Sequence, residues 1–488
     1  MSRSASLSRK PQRAVAALLL LAACAAVACG QPDQSQPKNI IVFIADGCGE
    51  STQRALELWR GEPMIYQGPA WTRFDATTYP LRPGPRPSRG VPPLEQDQRF
   101  VYDYALATDT TPDEGSSLGY PFHFRSYRWL RATASDSANT ATSIFTGVST
   151  YRGAINVDGG QQPIPAVSKA ASERGKAVGI VTSVPVSHAT PACAAGASVP
   201  NREMYHDITH QMLTGTVCTV IAGAGHPEYD DNAKRRETPK YTYISEGDWN
   251  ALKAGSVAGA TSPAWTLVDD TERVRALAEG DTPERLFILA PVAHTLQQMR
   301  TPHVRGDSTP PGVHPLTPGV PTLRELTLAA LNVLDNDPDG FFLMVEGGAV
   351  DWAMHDTEIG RMIEEMTDFH STVEAVCELL DAGDRGFDWS NTLVIVTADH
   401  DHLLLGPESD TVAFQPLEDR GPGVVPGHLW HADTHSNLPV PLFVRGVGAE
   451  RFGDIPTTPA GPKRVFHQTA IGELLFRLVG APNAATRE

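Results

Sequence analysis

Residues 39–49 read NIIVFIADGCG, an apolar run that ends in an aspartate and a glycine-rich turn. From Ile40 to Ala45 no position is polar, which is typical of a strand buried on both faces of a parallel sheet. We therefore predict a strand over Asn39–Ala45. Four further runs share this pattern and are predicted as strands over residues 176–182, 216–222, 341–345 and 392–397.

Amphipathic segments alternate with these strands. We predict helices over residues 322–335 and 351–382, and in the second one apolar residues recur at three- and four-residue steps from Ile359 to Leu380. Buried strands that alternate with such helices predict an α/β fold, in which a mostly parallel sheet carries helices on both faces. Ligands of these folds bind beyond the carboxyl ends of the strands.

The composition excludes one class of partner. The 488 residues include 40 Lys+Arg and 57 Asp+Glu, a formal net charge of −17. A protein that binds nucleic acid through phosphate contacts normally has a basic surplus, so no nucleic-acid-binding surface is expected. The 42 Gly and 40 Pro indicate many turns and long loops. We expect insertions near residues 81–130 and 226–320.

Residues 1–28 have the pattern of a signal peptide. Basic residues precede an apolar run over residues 14–28, which is short for a membrane span. The residues before Cys24 resemble a bacterial lipobox, and Cys29 follows a looser one. We therefore predict an exported lipoprotein of a bacterial periplasm or cell envelope, with residues 29–38 as a linker and no other membrane contact. Ordinary cleavage after Ala28 is the alternative.

The predicted domain, residues 39–488, keeps four cysteines: Cys48, Cys193, Cys218 and Cys377. In an oxidising compartment an even number allows one or two disulfides, and the sequence does not choose between the pairings. Their wide spacing argues against a zinc ribbon.

Metal-type donors follow three of the predicted strands. These donors are Asp46, Glu346, and the neighbouring Asp399 and His400. Asp351 and His355 come shortly after Glu346, and their four-residue spacing places both on one face of a helix. A lone aspartate after a strand is usually a helix cap, but several such strand ends together indicate a metal site. Mixed nitrogen and oxygen donors suit Zn²⁺, and oxygen donors alone suit Mg²⁺.

A candidate nucleophile lies in residues 134–147, ASDSANTATSIFTG. Ser137 opens a run of small residues that could start a helix, where the helix dipole favours an anionic oxygen and a bound phosphate. The alternative is that Ser135, Asp136 or Ser137 only caps this helix.

Six strings, in this order, resemble the motifs of the alkaline phosphatases. They are FIADGCG, SDSANTAT, SHATPAC with the later Asn201-Arg202, FFLMVEGGAVDWAMH, VTADHDH and HSNLPVPLFVRG. The resemblance extends from Asn39 to about Gly446. It implies a single large α/β domain with a mixed, mainly parallel sheet. The implied reaction is hydrolysis of phosphate monoesters to alcohol and inorganic phosphate through a phosphoserine, and a phosphodiesterase of the same superfamily is the alternative.

The resemblance also implies roles for single residues. The implied metal ligands are Asp46, Asp399, His400 and Ser137 for one Zn²⁺, Asp351, His355 and His435 for a second, and Asp46, Thr190 and Glu346 for Mg²⁺. His435 is chosen because it stands at the family's distance before Val440-Pro441. His402, His428 and His431 are then expected in loops.

Three other residues take roles from the resemblance. Arg202 corresponds to the arginine that binds phosphate through two parallel hydrogen bonds, which lysine cannot form. His188 and Trp352 occupy positions beside the third metal where other members carry Asp and Lys. This difference leaves Co²⁺ and Zn²⁺ open as alternatives to Mg²⁺. Whether the protein forms a homodimer is also left open by the sequence.

Overall fold

The strand Asn39–Ala45 lies in the interior of the central sheet, and all seven of its residues are buried. It pairs in parallel with Thr392–Thr397 on one side and with Phe341–Gly347 on the other. Because all three strands run in the same direction, their carboxyl ends lie at one edge of the sheet. This edge is where the sequence predicts the functional residues.

The structure is a computed structural model that describes Met1 and residues 36–82, 94–215, 217–257 and 262–482. The predicted leader, with Cys24 and Cys29, lies outside the described residues. None of the helices in these ranges is long and apolar enough to cross a bilayer. The chain from Pro37 onward forms one compact unit.

Within these ranges the strands are β1 (Asn39–Ala45), β2 (Thr72–Thr77), β3 (Pro112–Ser117), β4 (Tyr120–Phe124), β5 (Ala177–Pro185), β6 (Val220–Ala224), β7 (Thr266–Val268), β8 (Leu286–Leu289), β9 (Phe341–Gly347), β10 (Thr392–Thr397), β11 (Asp401–Leu405), β12 (Leu429–Ser436), β13 (Val440–Gly446), β14 (Thr458–Ala460) and β15 (Lys463–His467).

The α-helices of the same ranges are α1 (Glu50–Arg60), α2 (Tyr104–Ala107), α3 (Arg125–Ala132), α4 (Ser137–Thr146), α5 (Val167–Ser172), α6 (Ala189–Ala195), α7 (Tyr205–Thr214), α8 (Glu246–Lys253), α9 (Thr271–Leu277), α10 (Leu323–Leu334), α11 (Ala349–His355), α12 (Ile359–Ala382) and α13 (Thr469–Leu478). Short 3₁₀ helices span Ile65–Gln67 and Ala449–Asp454.

The central sheet has eleven strands in the order β14-β15-β2-β13-β10-β1-β9-β5-β6-β8-β7. The seven strands from β10 to β7 run parallel to one another. β13 is antiparallel to both β10 and β2. The predicted fold class, α/β with a mixed and mainly parallel sheet, is therefore confirmed. Two small sheets, β3–β4 and β11–β12, lie outside the main one.

The predicted strands and the observed ones differ mainly at their ends. β1 and β10 have the predicted bounds, whereas β9 continues through Gly347 and β5 through Pro185. The strand predicted over residues 216–222 begins at Val220 and ends at Ala224. An apolar run shows reliably that a strand is present. It does not fix the residue at which the strand's hydrogen bonds begin.

The single helix predicted over residues 351–382 is wrong, because the chain forms two helices there. α11 ends at His355 and α12 begins at Ile359. Between them Thr357 has a φ of +54°, a left-handed conformation that cannot continue a right-handed helix. Both helices keep their apolar residues buried, so the repeat of apolar residues does not reveal the break.

The two predicted insertions contain regular structure. The range 226–320 supplies β7 and β8, the last two strands at one edge of the central sheet. The described part of 81–130 carries α2, the hairpin of β3 and β4, and most of α3. Residues 83–93 lie outside the described ranges.

The four cysteines of the domain are buried, and the structure joins none of them to another. The one or two disulfides that the sequence allows are therefore absent among these residues. Burial raises the pKa of Cys193 and of Cys377 to about 12. Each thiol thus serves as a small packing group.

Helix α10 packs closely against the sheet at a glycine. Leu334 is fully buried, and a methyl group added at Gly179 of β5 would stand 2.5 Å from its Cδ1 atom. The missing side chain at Gly179 therefore makes room for the leucine, and the contact fixes how close the helix lies to the strand.

We expect Leu334→Ala to lower the free energy of unfolding by about 2–5 kcal/mol, because it leaves a cavity in a close-packed layer. Leu118→Ala is the matched control, since that leucine is 71% exposed, and its effect should stay within about 0.5 kcal/mol. Urea denaturation followed by fluorescence measures both. Equal midpoints for the two variants would contradict this packing.

Candidate metal and phosphate site

The carboxyl ends of β1, β9 and β10 bring three carboxylates to one edge of the sheet. Asp46 follows β1 directly, Glu346 is the second-last residue of β9, and Asp399 comes two residues after β10. The backbone N–H of Asp46 donates to the carbonyl of Gly347 at 3.3 Å, which ties two of these strand ends together. All three side chains are fully buried.

The first group of donors combines Asp46, Asp399 and His400, whose ligand-type atoms lie within 4.8 Å of one another. His400 Nε2 stands 3.3 Å from Asp46 Oδ1 and 3.3 Å from Asp399 Oδ2. The backbone N–H groups of Gly47 and His400 donate to Asp399 Oδ1 at 2.9 and 2.8 Å, which fixes that carboxylate. The hydroxyl of Ser137 lies 3.3 Å from the same His400 Nε2.

Ser137 is the first residue of α4, and Asp136 caps the helix. The Asp136 carboxylate accepts from the backbone N–H of Asn139 at 3.1 Å, and the Asn139 side chain accepts from the N–H of Asp136 at 2.8 Å. Asp136 is therefore the residue that caps the helix, and the hydroxyl of Ser137 can face the donors. Ser137 is 1% exposed and stands at the positive end of the helix.

The second group lies around Asp351. Its Oδ1 atom is 3.4 Å from Nε2 of His355 and 3.2 Å from Nε2 of His435. The two imidazole Nε2 atoms are themselves 3.1 Å apart. Burial alone would raise the pKa of Asp351, but the adjacent histidines, His355 first among them, hold it well below the ordinary value. The structure thus brings together the three residues that the resemblance implies for the second zinc.

His402 belongs to this second group, so its predicted place in a loop is wrong. It lies in β11, fully buried, and its Nε2 is 2.7 Å from Asp351 Oδ1. The same correction applies to His431, which lies in β12 with its ring 4.6 Å from that of Tyr127. The alternation in Asp399-His400-Asp401-His402 could have indicated His402, because residues two apart in an extended chain share a face.

The third group surrounds Glu346. Thr182 of β5, which the sequence analysis does not single out, donates its hydroxyl to Glu346 Oε2 in a short hydrogen bond. Burial raises the pKa of Glu346 to about 7, and the hydroxyls of Thr182 and Thr190 act in the opposite direction. Thr190 lies in α6, so this group draws on two strands and a helix.

Arg202 and His188 stand beside the nucleophile. Arg202 Nη1 is 3.2 Å from Asp136 Oδ2 and its Nη2 is 3.4 Å from His188 Nε2. The rings of His188 and Trp352 meet edge to face with centroids 5.4 Å apart. Burial, with Arg202 beside it, lowers the pKa of His188 to about 3, so this imidazole is neutral at physiological pH.

The residues present fit bound cations. Among the described residues, neither carboxylate oxygen of Asp46 has a hydrogen-bond partner, and Oε1 of Glu346 has none either, although all three atoms are buried. Burial, together with Asp399, raises the pKa of Asp46 well above the ordinary value. Buried carboxylates without partners are costly unless a cation or a proton compensates them.

Ser137, Arg202 and the second donor group open onto one cavity of about 470 Å³. Its lining consists of Ser137, His188, Arg202, Met299, His303, Asp351, Trp352, His355, Asp356 and His435. The cavity is large enough for a phosphate with an organic group attached. It can therefore present the Ser137 hydroxyl, the Arg202 guanidinium and the second donor group to the same small ligand.

Comparison with known proteins shows to which family the chain belongs. The family model described as alkaline phosphatase matches residues 97–416. The chain belongs to the alkaline phosphatase family. Alkaline phosphatase 3 of Bacillus subtilis is 27% identical over 373 residues, which cover 75% of this chain and 62% of the relative. Alkaline phosphatase H of Pseudomonas aeruginosa is 30% identical over 336 residues, covering 63% and 65%. The chain thus spans about three fifths of the length of these curated relatives.

Solved alkaline phosphatases share the fold. The enzyme of the Antarctic bacterium TAB5 superimposes with a TM-score of 0.56 at 18% identity, covering 91% of this chain and 98% of that one. The cold-active alkaline phosphatase of a psychrophilic Shewanella gives a TM-score of 0.60 at 19% identity, with 90% and 99% covered. The predicted single large α/β domain therefore agrees with the architecture of this family.

The pKa of Glu346 predicts a pH effect on the metal-free protein. Its folded pKa of about 7 lies above the ordinary 4.5, so the folded state holds this proton more tightly. The contribution of this protonated carboxyl to the free energy of unfolding is fully present below pH 4.5 and is lost as the pH rises to 7. We therefore expect the free energy of unfolding of Glu346→Gln to rise relative to that of the wild type, by up to about 3 kcal/mol between pH 4.5 and pH 7.

This effect is measured by urea denaturation of chelator-treated protein at several pH values. Leu118→Ala, at an exposed residue that carries no titratable group, serves as the control, and its difference from the wild type should be flat over the same window. A flat difference for Glu346→Gln would show that its carboxyl is not destabilised by burial.

Proposed function

We propose that the protein hydrolyses phosphate monoesters to an alcohol and inorganic phosphate through a phosphoserine at Ser137. The observation that carries this proposal is the position of the Ser137 hydroxyl, 3.3 Å from His400 Nε2 and in the same cavity as Arg202. A protein that only bound phosphate would need no hydroxyl within the donor cluster. Membership of the alkaline phosphatase family supports the same reaction.

The donor groups indicate where metals would bind. Asp46, Asp399 and His400 would hold one Zn²⁺, and Asp351, His355 and His435 a second. Asp46, Thr190 and Glu346 would hold Mg²⁺, because their donors are all oxygen atoms. When bound, these cations lower the pKa of a nearby hydroxyl and stabilise oxygens that become negative.

In the first step the Oγ atom of Ser137 attacks phosphorus, and the bond from phosphorus to the alcohol oxygen breaks. The positive end of α4 favours the anionic oxygens of the phosphate at this position. In the second step water attacks phosphorus, the Oγ–P bond breaks, and the serine hydroxyl is restored with release of inorganic phosphate. Two in-line displacements give net retention at phosphorus.

Arg202 would bind two phosphate oxygens through its planar guanidinium. Asp136, 3.2 Å away, holds the side chain in position without covering it, because the arginine side chain remains 20% exposed to the cavity. The neutral His188 borders the same guanidinium and adds no positive charge there. By the resemblance, His188 and Trp352 stand beside the third metal, for which Co²⁺ and Zn²⁺ are alternatives to Mg²⁺.

We also propose that residues 1–28 direct export and that Cys24 or Cys29 carries a lipid. Mass spectrometry of the mature protein tests this directly. An unmodified cysteine, or a chain that begins after Ala28 without lipid, would contradict the anchor.

We expect Ser137→Ala to lower the turnover of an aryl phosphate by roughly a thousandfold or more, because the attacking oxygen is lost. Its zinc and magnesium content should match that of the wild type by mass spectrometry. Ser135→Ala is the control, since Ser135 is also buried but bonds to Thr78 at 3.2 Å instead of facing the donors. Normal turnover in Ser137→Ala would refute the assignment.

The substrate class is tested on the wild type with an aryl phosphate and a bis-aryl phosphate. We expect the monoester to have the higher kcat/KM, since Arg202 and the donor groups suit a dianionic phosphate. A preference for the diester would favour the phosphodiesterase alternative.

Arg202→Lys should lower kcat/KM for the aryl phosphate by about 10- to 100-fold, because one ammonium cannot replace two parallel N–H donors. The inhibition constant of inorganic phosphate should rise in parallel. Arg235→Lys serves as the control, since that arginine is 71% exposed and pairs with Glu228. An unchanged inhibition constant in Arg202→Lys would mean that the guanidinium does not bind phosphate.

A further inference from the structure

A separate cluster of metal-type donors lies next to the second donor group, and two of its members, His303 and Asp356, line the same cavity. It consists of His303, Asp356 and Glu358, whose donor atoms all lie within 4.8 Å of one another. His303 Nε2 is 2.9 Å from Asp356 Oδ2 and 3.7 Å from Glu358 Oε2. Ligand atoms bound to one small cation lie about this far apart, since each stands roughly 2 Å from the metal.

The fold builds this cluster from two distant segments. Asp356 and Glu358 flank the break between α11 and α12, and His303 comes from the long connection between β8 and α10. Glu358 is 1% exposed and its side chain does not cap α12, although it occupies the capping position. Instead its Oε1 accepts from the backbone N–H of Val304 at 3.3 Å, which leaves Oε2 to face His303.

Gln298 shows that the three donors converge on one point. Its Nε2 lies 3.4 Å from His303 Nε2, 3.2 Å from Asp356 Oδ2 and 3.3 Å from Glu358 Oε2. An amide has only two N–H bonds, so it cannot satisfy all three atoms. Its own Oε1 has no hydrogen-bond partner in the part of the chain that the structure describes, although the residue is fully buried. Rotation of the amide would exchange the two atoms and add an oxygen to the cluster.

The charges of the cluster are unbalanced. The carboxylates of Asp356 and Glu358 share one imidazole, that of His303. Among the described residues, His303 is the ion-pair partner of both. The side chains of His303 and Asp356 are each 24% exposed, so a small ion can reach them from the cavity. Partly buried carboxylates in this setting attract a cation.

We infer that His303, Asp356 and Glu358 form an additional binding site for a divalent cation, with Gln298 as a further oxygen donor. One imidazole nitrogen with carboxylate and amide oxygens suits Zn²⁺ or Mn²⁺. The cation would lie on the wall of the cavity that Ser137 and Arg202 also line.

The experiment counts metal in the folded, fully loaded protein. Wild type, His303→Ala and Glu358→Gln are dialysed to equilibrium against Zn²⁺ or, separately, Mn²⁺, and the bound metal is measured by mass spectrometry. We expect each of the two variants to hold one equivalent less than the wild type for at least one of these ions. The metal held by the catalytic groups cancels in this difference.

His210→Ala is the matched control. His210 lies 2.9 Å from Asp248, the same distance as His303 from Asp356, but it is exposed and no second carboxylate is recorded beside it in the described residues. Its metal content should equal that of the wild type. Glu358→Gln keeps the size of the side chain, so it tests the site even if His303→Ala does not fold. Equal metal contents in wild type and Glu358→Gln for both ions would overturn the inference.

Discussion

Repulsion among buried carboxylates is the constraint on which the rest of the site depends. Asp46, Glu346, Asp351 and Asp399 are all buried at one edge of the central sheet. Burial and their mutual charge oppose ionisation of Asp46, Glu346 and Asp399, and only Asp351 has enough imidazoles around it to hold its pKa low. The chain stabilises this arrangement through its parallel strands, and cations of the kind we propose would neutralise it.

The imidazoles are oriented by backbone atoms from distant segments. His355 Nδ1 lies 2.6 Å from the carbonyl of Asp433, and His435 Nδ1 lies 2.8 Å from the carbonyl of Ser135. These contacts fix the planes of the two rings, so that both Nε2 atoms face Asp351. The carbonyl of Ser135 thus links the second donor group to the turn that begins α4 and presents the nucleophile.

Sequence reasoning succeeds where the signal is local. The strands that carry Asp46 and Asp399 have the predicted bounds, because a buried parallel strand is a continuous apolar run. The break before Glu358 is not predictable in this way, since both helices continue the same apolar stripe. His402 is missed for a similar reason: it reaches Asp351 only because β11 pairs with β12 outside the main sheet.

By itself the sequence determined the α/β class, the strand ends at which the donors stand and the chemical types of those donors. The resemblance assigned His355 and His435 to one metal, and the structure brings them, 80 residues apart in the chain, within 3.1 Å of each other. Only the tertiary structure decided that His402 also reaches Asp351 and that His303 meets Asp356, 53 residues apart and 2.9 Å distant. The physical reason is that apolar periodicity is a property of neighbouring residues, whereas the approach of two side chains depends on how whole elements pack.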